Sequence, residues 1–166
     1  MPVIQKCVTA EYQDIDGLIG LRGLLLSGGA AHYSSISAEE DDIWKAYYRK
    51  WLINQFYNRK SNIQISVIRD ENNNVIGCAT GIIDERAPVI GALNGLQGWV
   101  QSVVVAPEWR GQGLAILLMK SLFLWFESQG IGKIALQTTP IANAMYIKMG
   151  FDRTGEDLLI KNENNL

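Results

Sequence analysis

The sequence predicts a mixed α/β fold in one domain spanning residues 1–166, on three observations. Apolar and polar residues alternate through Ile63, Ile65 and Val67, an Asn-rich turn follows, and a second apolar run extends from Val75 to Ile83, which is a β-hairpin signature. An apolar strand from Trp99 to Val105 passes through a glycine turn into a long helix and on to a further strand at Lys133 to Thr138, the pattern of a parallel strand-helix-strand unit. The full order β-α-α-β-β-β-α-β-α-β calls for a central, mostly antiparallel mixed sheet with helices on both faces.

Each element has a local reason. Val3, Ile4, Cys7 and Val8 make a first strand, ended by Thr9, which is placed to cap a helix through Tyr12, Ile15, Ile19, Leu21 and Leu25. Gly17, Gly20 and Gly23 weaken that helix, each by about 1 kcal/mol relative to Ala, so a kink or an early end is expected. Ser27 to Ser35 is a loop by composition. Ser37-Ala-Glu-Glu40 is a capping box that starts a second helix carrying Ile43, Trp44, Tyr47, Trp51 and Phe56 at helical spacing. Glu71 to Asn74 turns the hairpin, and a connection runs from Asp84 to Gly95. The long helix is expected from Gly111 to about Gln129, apolar round most of its circumference and ended by Gly130-Ile-Gly132. Pro140 suits the first turn of a short helix through Met149, where its missing N–H costs nothing. Gly150 stops that helix, and Asp157 to Lys161 reads as a last strand before a polar tail at 162–166.

Composition excludes several classes. Hydrophobic residues make up 48% and charged residues 19%, which supports a packed core and not disorder. A net charge of −2 gives no electrostatic case for nucleic acid. The longest apolar stretch is broken by Lys120 and Ser121, short of the roughly 20 residues a membrane span needs. The opening Met-Pro-Val-Ile-Gln-Lys has no basic region followed by an apolar core, so a cytoplasmic location is expected. Cys7 and Cys78 share no motif with each other or with the single His, so no metal site is expected, and both should be reduced, buried thiols.

Chemistry concentrates in Val103-Val-Val-Ala-Pro-Glu-Trp-Arg-Gly-Gln-Gly-Leu-Ala115. Gly111 and Gly113 carry no Cβ to obstruct an anion, the next helix points unpaired N–H groups and the positive end of its dipole at the same place, and Arg110 adds a charge. Taken alone, such a turn also fits an ordinary strand-to-helix connection. It lacks the Gly-Lys-Ser/Thr of a P-loop and the third glycine of a dinucleotide fingerprint.

Arg110-Gly-Gln-Gly-Leu-Ala115 fits Arg/Gln-x-x-Gly-x-Gly/Ala, which resembles the acyl-CoA pyrophosphate loop of the GCN5-related N-acetyltransferase superfamily. Asn143-Ala-Met-Tyr-Ile-Lys-Met-Gly-Phe151 resembles the Tyr-x-Lys-x-Gly-Phe segment that closes the same family's cofactor site. The resemblance covers about residues 63 to 161. It implies a GNAT-like fold and transfer of an acetyl group from acetyl-CoA to an amine, with Arg110, Gly111, Gln112, Gly113, Leu114 and Ala115 gripping the cofactor. It also implies that the pantetheine arm bonds the backbone of Val103 and Val105 along a strand splayed from its parallel neighbour, freeing an N–H near Val103 or Val104 to polarise the thioester carbonyl. Tyr146 becomes the general acid, since a phenol is protonated at neutral pH and can serve the departing thiolate. Asn143 lies three residues earlier on the same helical face and is a second cofactor contact, although Thr139 occupies the position where the family more often places an Asn.

The general base is where the chain departs from the family. Many relatives place a Glu where this chain has Gln101, which cannot accept a proton. Water held by Gln101 and Ser102 stays open as a base, as do Asp84, Glu85, His32 and an acceptor that arrives neutral. Each has a plainer explanation too: Asp84 and Glu85 as a solvated strand end, His32 as a surface loop residue. Glu39 to Asp42 either attract a cation or serve the helix dipole. Trp44, Tyr47, Tyr48 and Trp51 are either core or the wall of an acceptor pocket. The expected acceptor is a small amine such as a polyamine, an amino-acid derivative or an amine-bearing antibiotic, with a protein N-terminus or lysine as the alternative. A non-catalytic acyl-CoA sensor is the competing class, kept open by Gln101. Oligomeric state is open, a homodimer being common among similar proteins.

Overall fold

The computed structural model describes residues 5–27 and 31–163. Val3 and Ile4 of the expected first strand, Gly28 to Ala30 of the loop and the end of the polar tail lie outside them. Residues to Leu136 form one compact unit and Gln137–Leu166 a second.

In the first unit the strands are β1 (Cys7–Thr9), β2 (Ile63–Arg69), β3 (Val75–Glu85), β4 (Leu96–Val105) and β5 (Ile134–Leu136), and the helices α1 (Ile15–Leu26), α2 (Ala38–Asn58) and α3 (Leu114–Ser128). The sheet order is β1-β2-β3-β4-β5, with antiparallel pairs up to β4 and one parallel pair, β4 with β5. This is the mixed, mostly antiparallel sheet with flanking helices that the sequence predicts. The β2–β3 hairpin turns at Asp70–Asn74, where the Asp70 carboxylate accepts the amides of Asn72 and Asn74 at 2.8 and 2.9 Å. Those bonds, the Asn74 amide first, hold the Asp70 carboxyl below its usual range.

The core is the apolar side of α3 laid on the sheet: Leu118, Met119, Leu122 and Phe126 are fully buried with Val67 and Ile68. Each such side chain contributes roughly 1.5–3 kcal/mol by leaving water. Close approach is possible because Gly98 has no side chain, since a Cβ there would sit 2.7 Å from the Phe126 ring. α1 packs on β3 and β4. It is anchored at its start by a bidentate pair: Arg69 Nε and Nη2 donate to the buried Asp14 carboxylate at 2.8 and 2.6 Å. Among the described residues no helix is long and apolar enough to cross a membrane.

Several local expectations are corrected. α1 runs unbroken through Gly17, Gly20 and Gly23 because tertiary burial of Leu18, Ile19 and Leu21 outweighs their weak propensity. Thr9 does not cap it; its hydroxyl accepts from Gln64 Nε2 at 3.0 Å, and a 3-10 turn at Tyr12–Asp14 intervenes. α3 starts at Leu114 and not at Gly111, since Gly111 and Gly113 have φ of 79° and 78°, which no α-helix admits. Asp84 and Glu85 belong to β3, paired with Gln97 and Leu96, so the connection begins at Arg86. β5 is shorter than expected, Ile134–Leu136.

The second unit holds α4 (Asn143–Lys148), preceded by turn residues that include Pro140, so the proline stands before the helix and not in its first turn. Asp157 to Lys161 forms no strand; apolar alternation supplies a face but not a partner, and Leu158, Leu159 and Ile160 are exposed.

Candidate active site

β4 changes character at its middle. Its parallel ladder with β5 covers only Gly98 to Val100, so Gln101 to Val105 have no ladder on that side. On the β3 side Cys78 stands opposite Val104 and Thr80 opposite Gln101, so one residue of β3, Ala79, faces two of β4, Ser102 and Val103. This is a β-bulge, and Ser102 carries it at φ 56°, a left-handed conformation that costs a non-glycine residue roughly 1–2 kcal/mol. Such strain collects where a strand has to re-aim a group.

The bulge redirects Ser102. Gly81 faces α3, where a Cβ would meet Phe126 at 3.0 Å, and Val100 is its cross-strand partner on that face. Two-residue alternation would aim Ser102 the same way. Instead its hydroxyl accepts a hydrogen bond from Arg22 Nε of α1 at 3.0 Å. The Arg22 guanidinium lies over the Tyr48 ring, 4.6 Å from its centroid, and 5.9 Å from that of Trp44. Tyr48 is buried and stacks on Trp51 at 6.0 Å, and burial pushes its phenol well above the usual range. Tyr47 by contrast is 70% exposed and joins neither core nor site.

Beyond β4, a 3-10 turn at Pro107–Trp109 leads into the glycine turn. Arg110 Nε donates to the Val105 carbonyl at 3.0 Å, which fixes the guanidinium beside the turn. A methyl group on Gly111 or Gly113 would project into open space. Among the described residues the amides of Gln112 to Ile116 find no backbone acceptor, and the first paired one is Leu117, bonded to the Gly113 carbonyl at 3.1 Å. A turn with open space above it, several free amides, a helix N-terminus and a tethered arginine fits a diphosphate. No group of His, Cys, Asp or Glu side chains among the described residues is arranged to hold a metal ion.

Other candidates fall elsewhere. Thr80 pairs with Gln101 and Asp84 with Gln97, so Asp84 and Glu85 lie four and five residues along β3 from the Thr80–Gln101 pair, roughly 13 Å or more. Asp84 faces Arg86 at 3.7 Å. His32 is exposed, edge-on to Tyr33 at 5.0 Å, on the loop whose Ser35 amide caps α1 through the Leu26 carbonyl. That loop is tied to α2 by Asp41, which accepts from Lys45, Ser27, Ser35 and the Trp44 indole; Lys45 and then Ser27 hold its carboxyl far below the usual range. Glu40 accepts the Ile36 amide and Ser37 the Glu40 amide, so this cluster builds the helix start. In the second unit Asn143 opens α4, and Tyr146 is buried on it against Phe151, its phenol pushed up by burial. Arg22 is the residue the sequence reading missed; its signal was a lone cation among the leucines of α1. A cavity of about 260 Å³ opens at the opposite end of the sheet, against Thr9, Gln55, Gln64 and Trp125, and no candidate residue lines it.

The model of the acetyltransferase (GNAT) family matches residues 32–151. The chain belongs to this family. It is therefore an N-acetyltransferase that uses acetyl-CoA. A GCN5-related N-acetyltransferase from Ralstonia eutropha JMP134 shares the fold with a TM-score of 0.78 at 18% identity, over 95% of this chain and 99% of that one. A predicted acetyltransferase from Clostridium acetobutylicum, solved with acetyl-CoA, gives 0.75 at 22% identity over 95% and 96%. Glucosamine-6-phosphate N-acetyltransferase from Arabidopsis thaliana gives 0.72 at 22% identity over 98% and 100%.

Proposed function

We propose that this GNAT acetyltransferase moves the acetyl group directly to a primary amine on a small molecule, with both substrates bound together and no covalent enzyme intermediate. The observation that carries the reading is the interrupted strand: the bulge at Ser102 and the end of the β5 ladder at Val100 leave one edge of β4 free immediately before the glycine turn. Acetyl-CoA supplies an acyl group already activated as a thioester. Arg110 and the amides from Gly111 to Ala115 hold its diphosphate, with Gln112 and Leu114 part of that turn. Val103 and Val105 offer backbone groups to the pantetheine arm, and an amide at Val103 or Val104 polarises the carbonyl, a contribution typically worth about 3–4 kcal/mol. Tyr146 holds the proton for the departing sulfur, and Asn143 contacts the cofactor from the same helix.

Direct transfer is supported by the thiols. Cys78 is 1% exposed and burial pushes its pKa up to about 12; burial also raises Cys7, so neither presents a nucleophilic thiolate. Asp84 and Glu85 lie four and five residues along β3 from the Thr80–Gln101 pair, so Gln101 and Ser102 position water, or the amine arrives neutral. Residues 1–166 would then be one acetyltransferase domain acting in the cytoplasm.

The test is thiol release from acetyl-CoA across a panel of amines. Amine-dependent release supports the enzyme; tight CoA binding without release by any amine favours the sensor alternative. Arg110→Glu is expected to weaken CoA binding at least tenfold by calorimetry with an unchanged circular dichroism spectrum, and unchanged affinity would remove the cradle assignment.

A further inference from the structure

The Arg22 guanidinium is half-buried and has a fixed pose, yet among the described residues no carboxylate pairs with it. Three acids at the starts of α1 and α2 are committed to other partners. Asp16 on the same helix pairs with Arg49 at 2.6 Å, Asp14 is gripped by Arg69, and Asp41 is held by Lys45, Ser27, Ser35 and Trp44. Among the described residues only Nε is used, on Ser102, so the outer nitrogens keep their donors. A cation partly removed from water without a counter-charge is costly, and that cost falls when a ligand brings the anion. Ser102 adjoins Val103, so this uncompensated charge lies beside the backbone proposed to polarise the thioester.

We propose that Arg22 is the anion-binding residue of the acceptor site, and that the acceptor is a primary amine bearing a carboxylate or phosphate a few bonds from its nitrogen. The inference rests on the acetyltransfer reading above and narrows it. The forked guanidinium, stacked on Tyr48 and steered by Ser102, suits bidentate capture of either oxyanion. It repels multiply cationic acceptors such as polyamines from the same place, and Asp41 at the α2 start does not offset this, since Lys45 already neutralises it. Binding the anion at Arg22 would bring the amine to the free edge of β4.

The test uses the full chain, acetyl-CoA and matched acceptors: the common amino acids against their amides, ethanolamine phosphate against ethanolamine, glucosamine 6-phosphate against glucosamine, and spermidine. The anionic member of a productive pair is expected to have a kcat/KM higher by about tenfold or more. Amine basicity would act the other way, because an amino-acid amide has the less basic nitrogen and more of it is neutral. The amino-acid and phosphate pairs separate the two oxyanions. Arg22→Gln should bring the ratio near one with the KM for acetyl-CoA unchanged, and Arg22→Lys should restore part of it. Equal rates within every pair, a preference for spermidine, or an R22Q loss that falls equally on both members of a pair would overturn the inference while leaving the enzyme reading intact. Absence of release with every amine would overturn both.

Discussion

The Cys78 thiol donates to the Ser102 carbonyl at 3.4 Å, so the bulge of β4 is held at its main chain by a side chain of the neighbouring strand. Arg22 grips the same residue by its hydroxyl. A left-handed serine is retained because its carbonyl and its hydroxyl are both engaged.

Cys78→Ala removes the thiol bond and leaves a small void in a fully buried position. The expected cost is about 1–3 kcal/mol in urea denaturation, with a fall in kcat and little change in the KM for acetyl-CoA. Cys78→Ser, which keeps a donor, should recover kcat more than stability. A Cys78→Ala enzyme with wild-type kcat would show that the bulge holds its shape unaided.

The same thiol makes stability sensitive to alkali. Its pKa is about 12 in the folded protein against an ordinary value near 9, so between these the unfolded chain loses a proton that the native chain retains. Stability is then flat below pH 9 and declines as pH rises toward 12, by up to about 1.4 kcal/mol per unit from this group. Denaturation midpoints measured from pH 8 to 11 should fall, and less steeply in Cys78→Ala. Equal slopes in the two proteins would contradict the assignment. Tyr48 and Tyr146, also raised by burial, leave a residual slope of the same sign.

Tyr146→Phe should lower kcat about 10²- to 10⁴-fold, the usual loss for a general acid, while CoA affinity stays within about twofold. In wild type, with an amide at Gln101 and Asp84 four residues along β3 from the Thr80–Gln101 pair, kcat/KM should climb with the ionisation of the amine itself and show no step between pH 4 and 6. Such a step would reveal an enzymic carboxylate base, and wild-type turnover in Tyr146→Phe would reassign that tyrosine to packing.

Asp14→Ala leaves Arg69 without its bidentate partner at a buried position. A loss of about 3–5 kcal/mol is expected by chemical denaturation. Asp16→Ala, which breaks an exposed pair with Arg49, should cost under about 1 kcal/mol. Comparable losses would mean that burial does not separate the two pairs.

The sheet and helices were legible because alternation, capping residues and glycine stops are local signals. Ser37, the Asn-rich turn and Gly130 each mark a boundary within a few residues. The glycine turn was legible for the same reason, although sequence could not say that Gly111 and Gly113 stand outside α3 until their φ values were known. What escaped were relationships between distant segments. Ser102 at φ 56° follows from β4 carrying one residue more than β3, which depends on register. Arg22 and Ser102 are eighty residues apart, and nothing local to α1 signals that bond. The expected strand at Asp157 to Lys161 failed for the converse reason, since its pattern was local but a ladder needs a second chain segment.

Gly98 sits under one end of α3 and the glycine turn lies at the other, with fifteen helical residues, roughly 22 Å of stiff rod, between them. Adding even a methyl at Gly98 would lift the Phe126 end, and a rod so lifted tips its far tip. Selection for altered coenzyme demand should therefore yield changes at this remote glycine, which a map of binding-loop residues alone would dismiss as bystanders.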